Sequence, residues 1–171
     1  MARILVTVGM GRRPFDRLVQ AVEPLCAYHD VFVQTGPSQV VPPCPHAPFV
    51  PLDELQRRLA EADIVITHAG STVRLVQRLG RVPIAVARHA ERGEAEDDNQ
   101  VRYLQAEAET GRVYAVWEAE RLAEAVAAHT AAAHRLLARP LPPPVPDDHL
   151  IAVLDGVCDR LIRRPAGRRP A

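Results

Sequence analysis

The residues best suited to chemistry crowd into one stretch, Ile64 to Ser71, read Ile-Val-Ile-Thr-His-Ala-Gly-Ser. Its first four residues have the apolar and β-branched composition of a buried strand. Ser71 then suits the N-cap of a helix opening Thr72-Val73-Arg74-Leu75. Unpaired amides at a helix start attract anions, phosphate above all, and Gly70 lets a ligand come close to the backbone. Strand-to-helix turns also carry Gly and Ser for purely structural reasons. Taken alone, the turn reads equally as a ligand site or a plain α/β connection.

The surrounding chain must position His68, Gly70 and Ser71. Arg3 to Val8 is a continuous apolar run of the kind buried in a parallel sheet, and it ends in the loop Gly9-Met10-Gly11-Arg12. Apolar positions from Pro14 to Ala27 recur at helical spacing. Val31 to Gln34 predicts a second strand with Thr35-Gly36 as its turn; Pro42 to Pro48 reads as irregular connection, and Phe49-Val50 as a brief third strand. Leu52 to Ala62 predicts the helix leading into the His68 strand, and Thr72 to Leu79 the helix leaving it. Ile84 to Ala87 is the next buried strand. A polar loop from Arg88 to Gln100 overlaps the start of a helix from about Asp98 to Ala108, and Val113 to Val116 with a helix from Glu118 to Ala138 closes the pattern. Strands alternating with helices predict a doubly wound parallel sheet with right-handed crossovers. In such sheets ligands gather beyond the carboxyl ends of the strands. The loops at Gly9, Gly36, His68 and Arg88 all follow strands, so they converge on one edge.

Bulk composition bounds the rest. The chain has 171 residues, enough for one ordinary domain with a core. We expect a Rossmann-like domain over residues 1–139, a Pro-rich linker over 140–146, an amphipathic helix over 147–163 and a basic tail over 164–171. The 21 basic and 21 acidic side chains cancel, which gives no global signal for nucleic-acid binding. Cys26, Cys44 and Cys158 are scattered without CxxC spacing, so neither a disulfide framework nor a structural metal is indicated. With no signal-peptide pattern and no apolar run of the ~20 residues a bilayer span needs, the expected location is the cytoplasm.

Thr7-Val-Gly9, Pro14-Phe-Asp-Arg-Leu-Val19, Gln34-Thr-Gly36, Ala62 to Ser71, Gly80-Arg-Val-Pro83 and Glu96-Asp-Asp-Asn-Gln100 occur in this order. Together they resemble the C-terminal, donor-binding half of family 28 glycosyltransferases, from about Ile4 to Val116. The chain is similar in particular to stand-alone half-enzymes such as the cytosolic catalytic subunit of dolichol-linked chitobiose synthase and related exopolysaccharide transferase subunits. The resemblance implies the C-terminal half of a GT-B fold that binds a UDP-sugar as donor substrate, with no further cofactor and no metal. It assigns the diphosphate to Gly9, Gly11, His68, Gly70 and Ser71, with His68 the catalytic candidate. Val50 and Leu52 fall where the family holds the base, and Asp98, Asn99 and Gln100 where it contacts the donor sugar. Gly36 belongs to the converging turns. Arg12, with Arg13, reads equally as phosphate clamp or solvated charge, and Arg88 equally as ligand contact or loop salt bridge.

Two positions depart from the pattern. The family continues Ser-Gly-Thr-x-x-Glu, its acid gripping the ribose hydroxyls, whereas Leu75 or Val76 stands at that place here. It also carries His before Gln where this chain has Asn99. Glu91, Glu94 and Glu96 are the candidates to compensate. The expected function is donor binding within an inverting, UDP-sugar-dependent transferase. The acceptor and the base would come from a separate protein partner, membrane-associated if the acceptor is a lipid-linked sugar. The alternative is a non-catalytic stabilising or regulatory subunit with a degenerate nucleotide-sugar site. Leu150, Leu154, Val157 and Leu161 are the candidate docking face of the C-terminal helix, which reads equally as packing on its own domain.

Overall fold

The computed structural model describes residues 1–139. The linker, C-terminal helix and tail expected beyond them lie outside the described residues. Six parallel strands form one sheet in the order β3-β2-β1-β4-β5-β6. They are β1 (Arg3–Thr7), β2 (Asp30–Gln34), β3 (His46–Ala47), β4 (Ile64–His68), β5 (Ile84–Val86) and β6 (Tyr114–Val116). This is the doubly wound order that the alternation of strand and helix predicts. The direction in which successive strands are added reverses between β1 and β4, which pair in parallel from Ile4 with Ile64 through Thr7 with Thr67. A crevice therefore opens beyond the carboxyl ends of these two strands.

The strands are apolar because both faces of the sheet are covered. Ile4, Val6, Val31, Val33, Ile64, Ile66 and Ile84 pack on one side with Phe15, Leu18, Val22 and Leu122. Those partners come from the N-cap of α1 (Asp16–Ala21), α1 itself, the turn after it, and α6 (Leu122–Leu137). On the other side Leu5 and Val65 meet Leu59 of α3 (Leu52–Glu61) and Val76 of α4 (Ser71–Arg78). Leu104 of α5 (Asn99–Thr110) packs with Val73, Ala85 and Val113.

Two details differ from the sequence expectation. The helix expected from Pro14 to Ala27 is broken into α1 and α2 (Glu23–Cys26). Pro24 has no amide to continue the α1 ladder. The third strand lies at His46–Ala47, inside the proline-rich stretch, and not at Phe49-Val50. It lies in register with Val33 and Gln34; the Val33 amide donates to the Pro45 carbonyl, the Thr35 amide to that of Ala47 and the Gly36 amide to that of Pro48. On an edge strand proline need only accept, so the prolines are compatible with pairing. Phe49 and Val50 are consequently released past the sheet edge toward the crevice.

Phe15 is fully buried, while Phe49 is 58% exposed. Phe15→Ala should cost about 3–5 kcal/mol in urea denaturation, the range for emptying a buried aromatic site. Phe49→Ala should stay within about 0.5 kcal/mol, as expected for a surface change.

Candidate functional site

Three loops are tied together around the crevice, and buried polar groups do the tying. Arg88, just beyond β5, is 3% exposed. Its Nη1 donates to the carbonyls of Arg13 at 2.7 Å, Glu94 at 3.0 Å and Pro14 at 3.3 Å, and its Nη2 to that of Val8 at 2.7 Å. The guanidinium also lies 4.8 Å from the Phe15 ring centroid. Glu94 accepts from Arg17 Nε at 2.9 Å and Nη2 at 3.0 Å, and from the His89 amide at 3.0 Å. On the β2 side Ser38 Oγ accepts from the Phe15 amide at 2.9 Å, and Asp16 Oδ1 from the Gln39 amide at 2.7 Å. The loops after β1, β2 and β5 thus form one assembly, with the β4 turn at its centre.

His68 occupies that centre. Its imidazole lies between Gly9 and Gly70, and a Cβ on either glycine would collide with the ring. Gly9 carries a second requirement, a φ of +78°. Gly70 has an extended φ of −143°, so only the imidazole excludes a side chain there. Burial and the neighbouring Arg88 charge push the His68 pKa down from 6.5 to about 4, partly offset by the main chain of Thr7. The ring is therefore neutral near pH 7, a single N–H donor and a single acceptor. Nδ1 is buried with no formed hydrogen bond. No side chain caps the start of α4, which leaves its first amides available beside the ring.

Two cavities meet at His68 and Gly11. The larger, about 480 Å³, runs along α3 and α4 and is lined by Met10, Phe49, Val50, Leu52, Leu55 and Leu75, with Thr7, Gln34, Ser71 and Thr72 as its polar groups. The smaller, about 290 Å³, is lined by Arg12, Arg13, Arg88, Glu94, Glu96, Asp97 and Gln100. One is apolar and the other charged.

The structure sorts the residues singled out from sequence. His68 and Gly11 border both cavities; Gly9, Val50, Leu52 and Ser71 line the larger, and Arg12, Arg88 and Gln100 the smaller. Gly70 contributes by admitting the imidazole. Gly36, with φ +55°, packs against Val8 and the Gly9 carbonyl, and does not line either cavity. Of Asp98, Asn99 and Gln100 only Gln100 lines a cavity, with its buried Oε1 unpartnered. Asp98 accepts from the Ala90 amide at 3.0 Å, and the Asn99 amide donates to Asp97 at 3.0 Å. Arg88 lines the smaller cavity but spends these four hydrogen bonds on carbonyls, which makes it a positioning residue. Glu94 is likewise held by Arg17. Sequence reasoning read Thr7 and Gln34 only as parts of motifs, and Thr72 only as the opening of a helix. The signal at Thr7 and Gln34 was a polar residue ending an apolar strand: Thr7 Oγ1 donates to Gln34 Oε1 at 2.9 Å in the floor of the larger cavity.

The sequence matches the glycosyltransferase family 28 C-terminal domain over residues 3–141. The chain belongs to this family. Among solved structures this family 28 domain resembles the calicheamicin glycosyltransferase CalG4, with a TM-score of 0.51 and 18% identity over 94% of its length. It spans 44% of that chain. No curated protein matches the sequence. Among the described residues of the domain, no helix is long and apolar enough to cross a membrane, and no cluster of three or more His, Cys, Asp or Glu is arranged to hold a metal ion.

Two outcomes follow from the His68 packing. Gly70→Ala should cost about 1–3 kcal/mol by overpacking, and most of that cost should vanish in a His68→Ala background, a coupling read from the four unfolding curves. From pH 6.5 down to about 4 the unfolded chain binds a proton that folded His68 refuses, so its contribution to stability is lost as pH falls through that window, by up to about 3 kcal/mol. His68→Asn should flatten this part of the stability profile.

Proposed function

We propose that this chain is the donor-binding subunit of an inverting glycosyltransferase. It would hold a nucleoside diphosphate sugar, a UDP-sugar in the first instance, while a separate protein presents the acceptor. The observation that carries this reading is the pair of cavities meeting at His68 and Gly11 beside the uncapped start of α4. A diphosphate at that junction would send its nucleoside into the apolar cavity and its hexose or N-acetylhexosamine into the charged one, where Gln100 offers a carboxamide to sugar hydroxyls.

In the reaction an acceptor hydroxyl attacks the anomeric carbon and loses its proton to a base. The bond from that carbon to the diphosphate breaks, and its electron pair leaves with the nucleotide. The α4 amides and an N–H of neutral His68 would stabilise the growing charge on the leaving group, a preorganised electrostatic role. The base belongs to the partner in this reading. Such a partner would bring the subunit to the cytoplasmic face of a membrane when the acceptor is lipid-linked. The competing reading, a stabilising subunit with a degenerate site, draws on Leu75 or Val76 at the place of the family's acid, and it requires that nucleotides not bind.

Thermal unfolding of the full chain separates the two. At about 100 times the dissociation constant a ligand adds about 2.7 kcal/mol, a rise in Tm of roughly 5–10 °C for a domain of this size. We expect such a rise with a nucleoside diphosphate or its sugar ester. His68→Asn should weaken binding by about 10- to 100-fold, the cost of losing a hydrogen bond to a charged group. No shift with any nucleotide, alone or with the acceptor-binding protein present, would overturn the donor-site reading.

A further inference from the structure

This inference rests on the nucleotide-sugar reading above, concerns the pentose, and replaces UDP as the first-choice nucleotide. On α4, Ser71 and Thr72 sit at the helix start beside His68, while Leu75 follows on the same face of the same cavity. Four residues of helix correspond to a rise of about 6 Å. A pentose, one methylene beyond the α-phosphate, would therefore stand against Leu75 once the diphosphate lies at the helix start. The wall it meets continues through Leu52, Leu55 and Val50, and no carboxylate lines this cavity. Of the polar groups in its floor, Thr7 Oγ1 and Gln34 Oε1 are engaged with each other at 2.9 Å. The acids that do approach the crevice, Glu94, Glu96 and Asp97, all line the other cavity.

A ribose presents a cis-diol with two O–H donors, and each must find an acceptor once removed from water. Leu75 offers none, and an O–H pressed against it loses its hydration without replacement. A CH₂ at the 2′ carbon has no such requirement and packs on the leucine as apolar surface. We propose that the donor site prefers a 2′-deoxyribonucleoside diphosphate sugar to its ribonucleoside counterpart, with Leu75 as the residue that sets the preference. The exposed Phe49 and Leu52 at the mouth of this cavity extend the same apolar surface to the base, so a 5-methyl pyrimidine gains contact there.

Calorimetric titration of the full chain with UDP, dUDP, 5-methyluridine diphosphate and dTDP tests this. The pair UDP and dUDP isolates the 2′ hydroxyl, and the methylated pair isolates the base. dUDP should bind about 10-fold or more tightly than UDP, the scale of one unpaired buried hydroxyl, with dTDP at least as tight as dUDP. Leu75→Glu and Leu75→Gln, checked for folding by circular dichroism, should each shift the ratio toward UDP. UDP binding as tightly as dUDP, or more so, overturns the proposal and leaves the nucleotide-sugar reading standing. Binding of none of the four overturns the proposal, and the nucleotide-sugar reading falls with it when no other nucleotide binds, alone or with the acceptor-binding protein present. The wild-type ratio decides even where a variant fails to fold.

Discussion

A buried guanidinium holds this crevice in shape. Removing Arg88 from water is costly unless each N–H finds an acceptor, and in this fold those acceptors are main-chain carbonyls from the loops that follow β1 and β5. The planar fork reaches several carbonyls at once, which a lysine ammonium could not match in geometry. Phe15 supplies the face on which the guanidinium rests, and Arg17, also near that ring, brings in Glu94. The polar loop after β5 is thereby fastened to the glycine loop after β1. The buried cation at the site acts chiefly as a rivet.

The rivet has an electrostatic consequence. A fixed positive charge beside a largely buried imidazole disfavours a second one, so Arg88 and burial together keep His68 neutral. Neutrality in turn permits the close approach of Gly9 and Gly70, since a neutral ring can be enclosed by backbone with little solvation while an imidazolium could not. Each glycine has its own reason to be there. Gly9 answers both a left-handed backbone and the ring; Gly70 answers the ring alone. The His-Ala-Gly segment and the distant Gly9 loop are thus one packing unit assembled across the β1–β4 boundary.

This arrangement explains which parts of the molecule were legible in the sequence. The β4 strand and its turn could be read because an uninterrupted apolar run followed by Gly and Ser has few other meanings in an alternating α/β pattern. The convergence of loops followed from parallel strand order alone. The place of β3 was hidden because proline ordinarily argues against a strand, and only an edge position that needs acceptors relaxes the rule. Arg88 was legible as a residue near the site, but its four carbonyl partners lie in two loops far apart in sequence that no local pattern connects. The motif Asp98-Asn99-Gln100 shows the same limit on a smaller scale. Three adjacent polar residues at a helix start point in different directions, so Asp98 and Asn99 close the loop while Gln100 alone turns into the cavity.

The division of the crevice follows from the same topology. The larger cavity is walled by α3 and α4, whose inward faces are leucine and valine because they cover the sheet. The smaller is walled by the glycine loop and the polar loop after β5, which have no sheet face to cover and so carry charge. A bipartite ligand with an apolar end, an anionic middle and a hydroxyl-rich end matches that sequence of environments, and reversing the ligand would bury hydroxyls against leucine. Orientation in the crevice is therefore decided by solvation before any specific contact forms. His68 lies where the two environments meet, and a neutral donor there adds direction at the anionic centre without pairing it to a competing cation.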